Sequence, residues 1–69
     1  MNFQVGDRII ERKTNTVYFV TKELIFRAGG FNYVHVRGPD ETIGIQISNI
    51  GPNKQFKLVK KIVFILSKL

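Results

Sequence analysis

Turn-forming residues divide this chain into short segments, and their spacing constrains the fold more than any other feature. They occur at five places, which are Val5-Gly6-Asp7, Thr14-Asn15, Ala28-Gly29-Gly30, Gly38-Pro39-Asp40 and Gly51-Pro52-Asn53. Gly and Asn tolerate positive φ, and Pro fixes φ at the second position of a turn. The intervening segments are rich in β-branched and aromatic residues, which suit a pleated sheet. We therefore predict strands over 8–13, 16–26, 31–37, 42–47 and 54–59.

Alternation of side chains assigns the faces of two of these strands. In 42–47, the apolar positions recur at every second residue, namely Ile43, Ile45 and Ile47. In 31–37, Val34 and Val36 point to one side, and Tyr33, His35 and Arg37 point to the other together with Phe31. This period of two is typical of half-buried strands. We expect the valines and isoleucines to form the core.

Two irregular features are expected along the same segments. The strand 16–26 is long and apolar on both faces, so we expect a bend around 21–23. The pattern is interrupted again over 48–52, where we expect one short helical turn with Ser48 as its N-cap.

The first residues carry a resemblance to a known fold. Phe3-Gln4-Val5-Gly6-Asp7-Arg8-Ile9-Ile10 resembles the entry of small SH3-like barrels, including KOW-type and Tudor-like modules. The stretch 45–50 is similar to the strand and turn before their last strand. The resemblance covers about residues 3–60 and implies a mainly β fold, a small five-stranded SH3-like barrel over 1–60 with a C-terminal amphipathic extension over 61–69. Small phage and bacterial accessory proteins often look like this, but such folds host many functions.

Charge is concentrated near the C-terminus. The net charge is +6, yet residues 1–53 hold six basic and five acidic side chains, whereas 54–69 holds five lysines and no acid. Such asymmetry indicates a polyanionic partner, either nucleic acid or an anionic membrane surface. A basic segment that only aids solvation is the alternative.

The C-terminal segment has two possible conformations. As a helix, residues 57–69 place lysines on one face and apolar residues on the other, with Phe64 among the lysines. As a strand, 62–66 is an apolar run suited to burial on both sides. In either form it completes the core, forms a homodimer interface, or binds a partner or membrane surface. A membrane span needs about 20 apolar residues, so we expect no transmembrane segment and a cytoplasmic protein.

The chain contains few residues that could catalyse a reaction. The chain has no Cys and a single His, His35, while its two serines lie outside any nucleophile motif. Asp40 and Glu41 are adjacent acids in a Gly-Pro turn, where solvated carboxylates are common. Too few ligands are present for a metal site. We therefore predict a protein that is not an enzyme and uses no cofactor.

Two sets of residues are candidates for binding. Tyr33, His35 and Arg37 interleave aromatic and basic side chains on one strand, an arrangement that can stack bases and contact phosphates. The lysines predicted to neutralise phosphates are Lys57, Lys60, Lys61 and Lys68. We therefore predict a nucleic-acid-associated module, such as a transcription accessory factor. Alternatively, Phe31 and Tyr33 only cover the barrel.

A protein partner is the other functional prediction. It would be bound through the apolar residues of the C-terminal segment, which are Ile62, Phe64, Ile65 and Leu69. The protein would then act as an inhibitor or adaptor that docks on a larger enzyme, such as one of a host. The nearly neutral body and the apolar second strand are consistent with this alternative.

Overall fold

The computed structural model describes residues 2–62, and this part of the chain is almost entirely β. Its six strands are β1 (Arg8–Glu11), β2 (Val17–Val20), β3 (Phe26–Ala28), β4 (Phe31–Arg37), β5 (Thr42–Gln46) and β6 (Phe56–Val59). A single 3-10 turn, Ile47–Asn49, separates β5 from β6 in this range. The strands pair antiparallel in one sheet. The prediction of a mainly β fold is therefore confirmed.

The sheet has six strands rather than five because the predicted strand 16–26 is divided. β2 and β3 pair with the same edge of β4, β2 at its end and β3 at its beginning. β5 pairs with the opposite edge of β4. The chain leaves the sheet between β2 and β3, where the backbone N–H of Thr21 donates to the His35 carbonyl oxygen at 3.0 Å. The bend expected around 21–23 lies within this break.

The described part of the sheet is not closed into a barrel. The strands run in the order β3-β4-β2-β1-β6, and β5 pairs with β4 beside this path. β5 and β6 do not pair with each other, and β3, β5 and β6 each have only one strand partner within residues 2–62. The closed five-stranded arrangement expected from the sequence is thus replaced, over residues 2–62, by an open six-stranded sheet.

One face of this sheet forms the core. Ile9, Val34 and Val36 are completely buried, and Val20 nearly so. The other buried apolar side chains are Phe3, Ile45, Ile50 and Phe56. The faces predicted for 31–37 and 42–47 are correct, because Val34, Val36 and Ile45 lie on the buried side. Burial of this kind contributes roughly 1.5–3 kcal/mol for each large apolar side chain.

The short turn before β6 has its N-cap two residues earlier than predicted. Gln46 is its N-cap residue, and no side chain caps the turn. The prediction of Ser48 as the N-cap is therefore wrong. The Ser48 hydroxyl instead accepts a hydrogen bond at 2.8 Å from the Gln46 side-chain amide. The ladder of β5 extends through Gln46 and sets where the turn can start.

A buried carboxylate connects the residues before β1 with the residues after β6. The Asp7 side chain has no exposed surface. It accepts hydrogen bonds from the backbone N–H of Gln4 at 2.8 Å, the ammonium of Lys60 at 2.7 Å and the backbone N–H of Lys61 at 2.9 Å. The Lys60 ammonium also donates to the Asn2 carbonyl oxygen at 3.0 Å. We call Gln4, Asp7, Lys60 and Lys61 the Asp7 cluster.

Asp7 is held in its ionised form. Burial disfavours the carboxylate and by itself raises the pKa, but the hydrogen bonds from Lys60, Lys61 and Gln4 and the charge of Lys60 oppose this effect. Their combined result is a pKa below the ordinary value of 3.8. The folded state therefore binds the Asp7 proton more weakly than the unfolded chain does.

Replacement of Asp7 by Asn tests the importance of this cluster. We expect Asp7→Asn to lower the free energy of unfolding by about 2–3 kcal/mol, because two charge-assisted bonds weaken and one acceptor is lost in a buried site. Lys60 is partly exposed, so its remaining charge can reach water. Urea unfolding measures the difference. Asp40→Asn, the same change at an exposed turn, is the control, and equal stabilities of the two variants would contradict the expectation.

The cluster also predicts how stability depends on pH. Because the folded pKa of Asp7 is lowered, its contribution is present above the ordinary value of 3.8 and is lost as pH falls below it through the folded pKa. We expect the free energy of unfolding to decrease more steeply in acid for the wild type than for Asp7→Asn. Glu11 titrates in both proteins, so the difference isolates Asp7. Parallel profiles would show that Asp7 is not the cause.

Candidate functional site

The face of the sheet opposite the core carries an aromatic ring between two arginines. Arg8 of β1 pairs directly with Phe19 of β2, and Phe19 pairs directly with Arg37 of β4. Directly paired residues in an antiparallel sheet share a face. All three side chains are exposed, Phe19 by 41%. Since strands lie about 4.8 Å apart, the two arginine backbones are roughly 10 Å from each other. We call these residues the Arg8–Phe19–Arg37 row.

The surroundings of this row are basic and apolar. In the neighbouring cross-strand row, Lys57 pairs with Ile10, and Ile10 pairs with Val17. Lys57 is exposed, whereas Ile10 and Val17 are half-buried. None of the strand positions on this face is acidic; they are 8, 10, 17, 19, 26, 28, 31, 33, 35, 37, 42, 44, 46, 57 and 59. The face therefore combines positive charge with apolar surface.

An open cleft of about 490 Å³ lies beside Phe19. It is lined by Asn15, Thr16, Val17, Phe19, Arg37, Gly38 and Pro39. The turn between β1 and β2 is fixed by two hydrogen bonds between the Glu11 backbone and those of Asn15 and Thr16, at 2.8 and 2.9 Å. The turn between β4 and β5 is fixed by a bond of 2.7 Å from the Gly38 N–H to the Glu41 carbonyl oxygen. Both walls of the cleft are therefore formed by hydrogen-bonded turns.

Gly38 has a steric reason to be glycine. A Cβ at this position would lie 2.7 Å from the ring of Tyr18, which packs behind the cleft on the core face.

Burial raises the pKa of Tyr18, and the charges of Glu41 and Glu11 raise it further. Because its pKa is raised, the Tyr18 hydroxyl stays protonated at neutral pH.

Two of the rings on the predicted aromatic strand pack against Phe26 of the neighbouring strand β3. Tyr33 and His35 are half-buried beneath Phe26, whose ring centroid is 5.3 Å from that of Tyr33 and 4.2 Å from that of His35. Phe26 also covers Gly44, where a Cβ would be 2.7 Å from its ring. One side of the Tyr33 and His35 rings is thus occupied by Phe26. Arg37 lies at the other end of β4, in the Arg8–Phe19–Arg37 row.

The predicted phosphate-binding lysines do not form one patch within residues 2–62. Lys57 lies on the outer face of β6, while the Lys60 ammonium is paired with Asp7. The Lys61 backbone also binds Asp7, and its exposed side chain passes Gly6, where a Cβ would lie 3.3 Å from the Lys61 Cδ. Lys68 lies outside the described residues.

The predicted apolar interaction residues are described only at their first member. Ile62 follows β6 without regular secondary structure and is 73% exposed. Phe64, Ile65 and Leu69 lie outside the described range, as do the residues that would decide between helix and strand for this segment. Two further exposed apolar side chains are found in the break between β2 and β3, Leu24 at 83% and Ile25 at 43%.

Sequence reasoning did not select Arg8 or Phe19 as site residues. Alternation was visible in both segments, since Arg8 and Ile10 share one parity and Val17 and Phe19 share one parity. Their juxtaposition, however, depends on the register of β1 against β2. A shift of one residue moves a strand's side chains to the other face. The register is set by the turn over 12–16, whose type the residues alone did not define.

Within residues 2–62, no three His, Asp or Glu side chains are grouped closely enough to hold a metal ion. The same range contains no helix long and apolar enough to span a membrane. Searches against protein-family models, curated proteins and solved structures find no match to this chain.

The contact between Phe26 and Gly44 gives a stability prediction. We expect Gly44→Ala to lower the free energy of unfolding by about 1–3 kcal/mol, because the added methyl group displaces the Phe26 ring from Tyr33 and His35. Chemical denaturation measures this loss. The same substitution made together with Phe26→Leu should cost less than it does alone, since the clashing ring is gone. An equal cost in both backgrounds would assign the effect to the backbone instead.

Proposed function

We propose that this protein is a small non-catalytic module that binds nucleic acid through the Arg8–Phe19–Arg37 row. The observation that carries the proposal is the exposed ring of Phe19 directly between two arginines, on a face whose strand positions include no acid. Aromatic rings stack on bases, and arginines contact phosphates, in sequence-tolerant single-strand binders. A role as a transcription accessory factor fits such a module.

The likeness of residues 3–60 to SH3-like modules belongs to the same proposal. Two features support it. The 3-10 turn between β5 and β6 has the place expected for the turn before the last strand of such a fold. The division of the longest strand into β2 and β3, both on one edge of β4, corresponds to the coiling that a small barrel requires.

The lysines have different parts in this proposal. Lys57 lies on the same face as the Arg8–Phe19–Arg37 row and extends its positive charge. The ammonium of Lys60 already binds Asp7, so it contributes less to a phosphate than its charge implies. We therefore assign the phosphate contacts first to Arg8, Arg37 and Lys57, with Lys61 and Lys68 as further cations of the basic segment.

Neutralising each arginine tests the proposed function. We expect Arg8→Gln or Arg37→Gln to weaken binding of a single-stranded 12-nucleotide probe about five- to tenfold at about 50 mM salt. The reason is that one phosphate contact contributes about 0.7 to the slope of log affinity against log salt. Fluorescence anisotropy over a salt series measures both quantities. Arg27→Gln is the matched control, because Arg27 is exposed but pairs with Asn32 and therefore lies on the other face of the sheet from Arg37.

Two results would contradict the proposed function. One is binding that does not depend on salt, since phosphate contacts must release counterions. The other is an equal loss for Arg8→Gln and Arg27→Gln, which would reduce the effect to net charge.

A protein partner is the second candidate function. The observation that favours it is the exposure of Leu24, Ile25 and Ile62 by 83%, 43% and 73%, because these apolar side chains are groups that a protein partner would cover. An adaptor or inhibitor bound through these residues would keep its partner at high salt. The salt series thus separates this function from binding through the Arg8–Phe19–Arg37 row.

A further inference from the structure

We propose that the cleft beside Phe19 is a subsite for one unpaired nucleobase. This inference rests on the proposed function and specifies its ligand. The base stacks on the Phe19 ring, and the phosphates on its two sides contact Arg8 and Arg37. The ligand is therefore a single strand of nucleic acid rather than a duplex.

The dimensions and lining of the cleft suit a flat aromatic ligand. Its volume of about 490 Å³ lies within the range of roughly 300–1,000 Å³ that small-molecule sites occupy. Val17, Phe19 and Pro39 supply apolar surface, and Arg37 supplies charge at the same cleft. Hydrogen-bonded turns form both sides, so a ligand does not need to order them. Such preorganisation lowers the entropic cost of binding.

The position of Phe19 selects an unpaired base. The ring is 41% exposed and lies between the turn that bears Asn15 and the turn that bears Pro39. Bases within a duplex are stacked on both faces by their neighbours, so none of them can lie flat on this ring. A base in a single strand can be splayed out and stacked on an aromatic side chain.

Asn15 supplies a polar group at the rim of the cleft. Its backbone N–H donates to the Glu11 carbonyl oxygen, but its exposed side-chain amide makes no hydrogen bond within residues 2–62. An amide offers both donors and acceptors, as the edge of a base does. Asn15 has φ of 60°, so Asn15→Gly removes the amide without straining the turn.

Removing the base from the probe tests the subsite on the unaltered protein. The probes are single-stranded oligo-dT and oligo-rU of eight nucleotides, an abasic strand of equal length and an eight-base-pair duplex. We expect the abasic strand to bind about tenfold more weakly than oligo-dT or oligo-rU at the same salt, because stacking on an aromatic side chain contributes about that factor. Because dT and rU also differ by a methyl group on the base, oligo-dU is included, and the tighter of oligo-dU and oligo-rU identifies the sugar that the protein prefers.

Substitution of Phe19 supplies the second measurement. Phe19→Leu should weaken the oligonucleotides about tenfold, leave the abasic strand and the duplex unchanged, and preserve the salt slope. Phe19→Tyr should retain wild-type affinity, since it keeps the ring. Asn15→Gly should reduce the difference in affinity between homopolymers of different bases. Thermal melting verifies that each variant is folded.

The outcomes separate the subsite from the proposed function. If the abasic strand binds as tightly as oligo-dT and oligo-rU while Arg8→Gln and Arg37→Gln still weaken binding, the subsite is wrong and the function stands. If no probe binds with a salt dependence, both are wrong. The abasic comparison does not depend on a variant, so it decides the question even if Phe19→Leu fails to fold.

Discussion

The buried carboxylate of Asp7 is the interaction on which the arrangement of the sheet depends. Its side chain joins the residues before β1 to the residues after β6. Its backbone carbonyl accepts from the Val20 N–H at 2.9 Å, and the Val20 carbonyl accepts from Gly6 at 2.9 Å. Because Arg8 and Phe19 follow and precede these residues directly, these backbone bonds continue the register that the turn over 12–16 sets, in which the arginine lies beside the aromatic ring. The side chain and the backbone of Asp7 thus stabilise the two ends of the sheet edge and the pairing of β1 with β2 at the same residue.

Local residue patterns predicted much of the fold but little of the site. β4 has the predicted bounds, and the valines and Ile45 face the core as alternation required. The packing of Phe26 over Gly44 was not predictable, because it depends on the register of β3 against β4 after the break in the chain. The same limitation applied to Phe19, whose neighbours belong to two other strands. Alternation shows which side chains of one strand share a face, whereas the pairing between strands determines which side chains of different strands are neighbours.

The distribution of charge along the sequence differs from its distribution over the surface. The excess of lysine lies after residue 53, yet Lys60 is partly neutralised by Asp7. Arg8 and Arg37 belong to the nearly neutral part of the chain, and the fold places them on a face whose strand positions carry no acid. A net charge counted along the chain therefore missed that Arg8 and Arg37 lie on the same face of the sheet.

The break between β2 and β3 has a consequence for how the chain tolerates change in length. Both strands are aligned independently by β4, and the residues between them are mostly exposed. Extra residues inserted near Glu23 would lengthen a surface loop without changing the hydrogen-bonding register of β2 or β3. The cost would be small, since the entropy of loop closure rises slowly with loop length. This segment is therefore a natural attachment point for a fluorophore or an additional peptide, because its length does not affect the register of either strand.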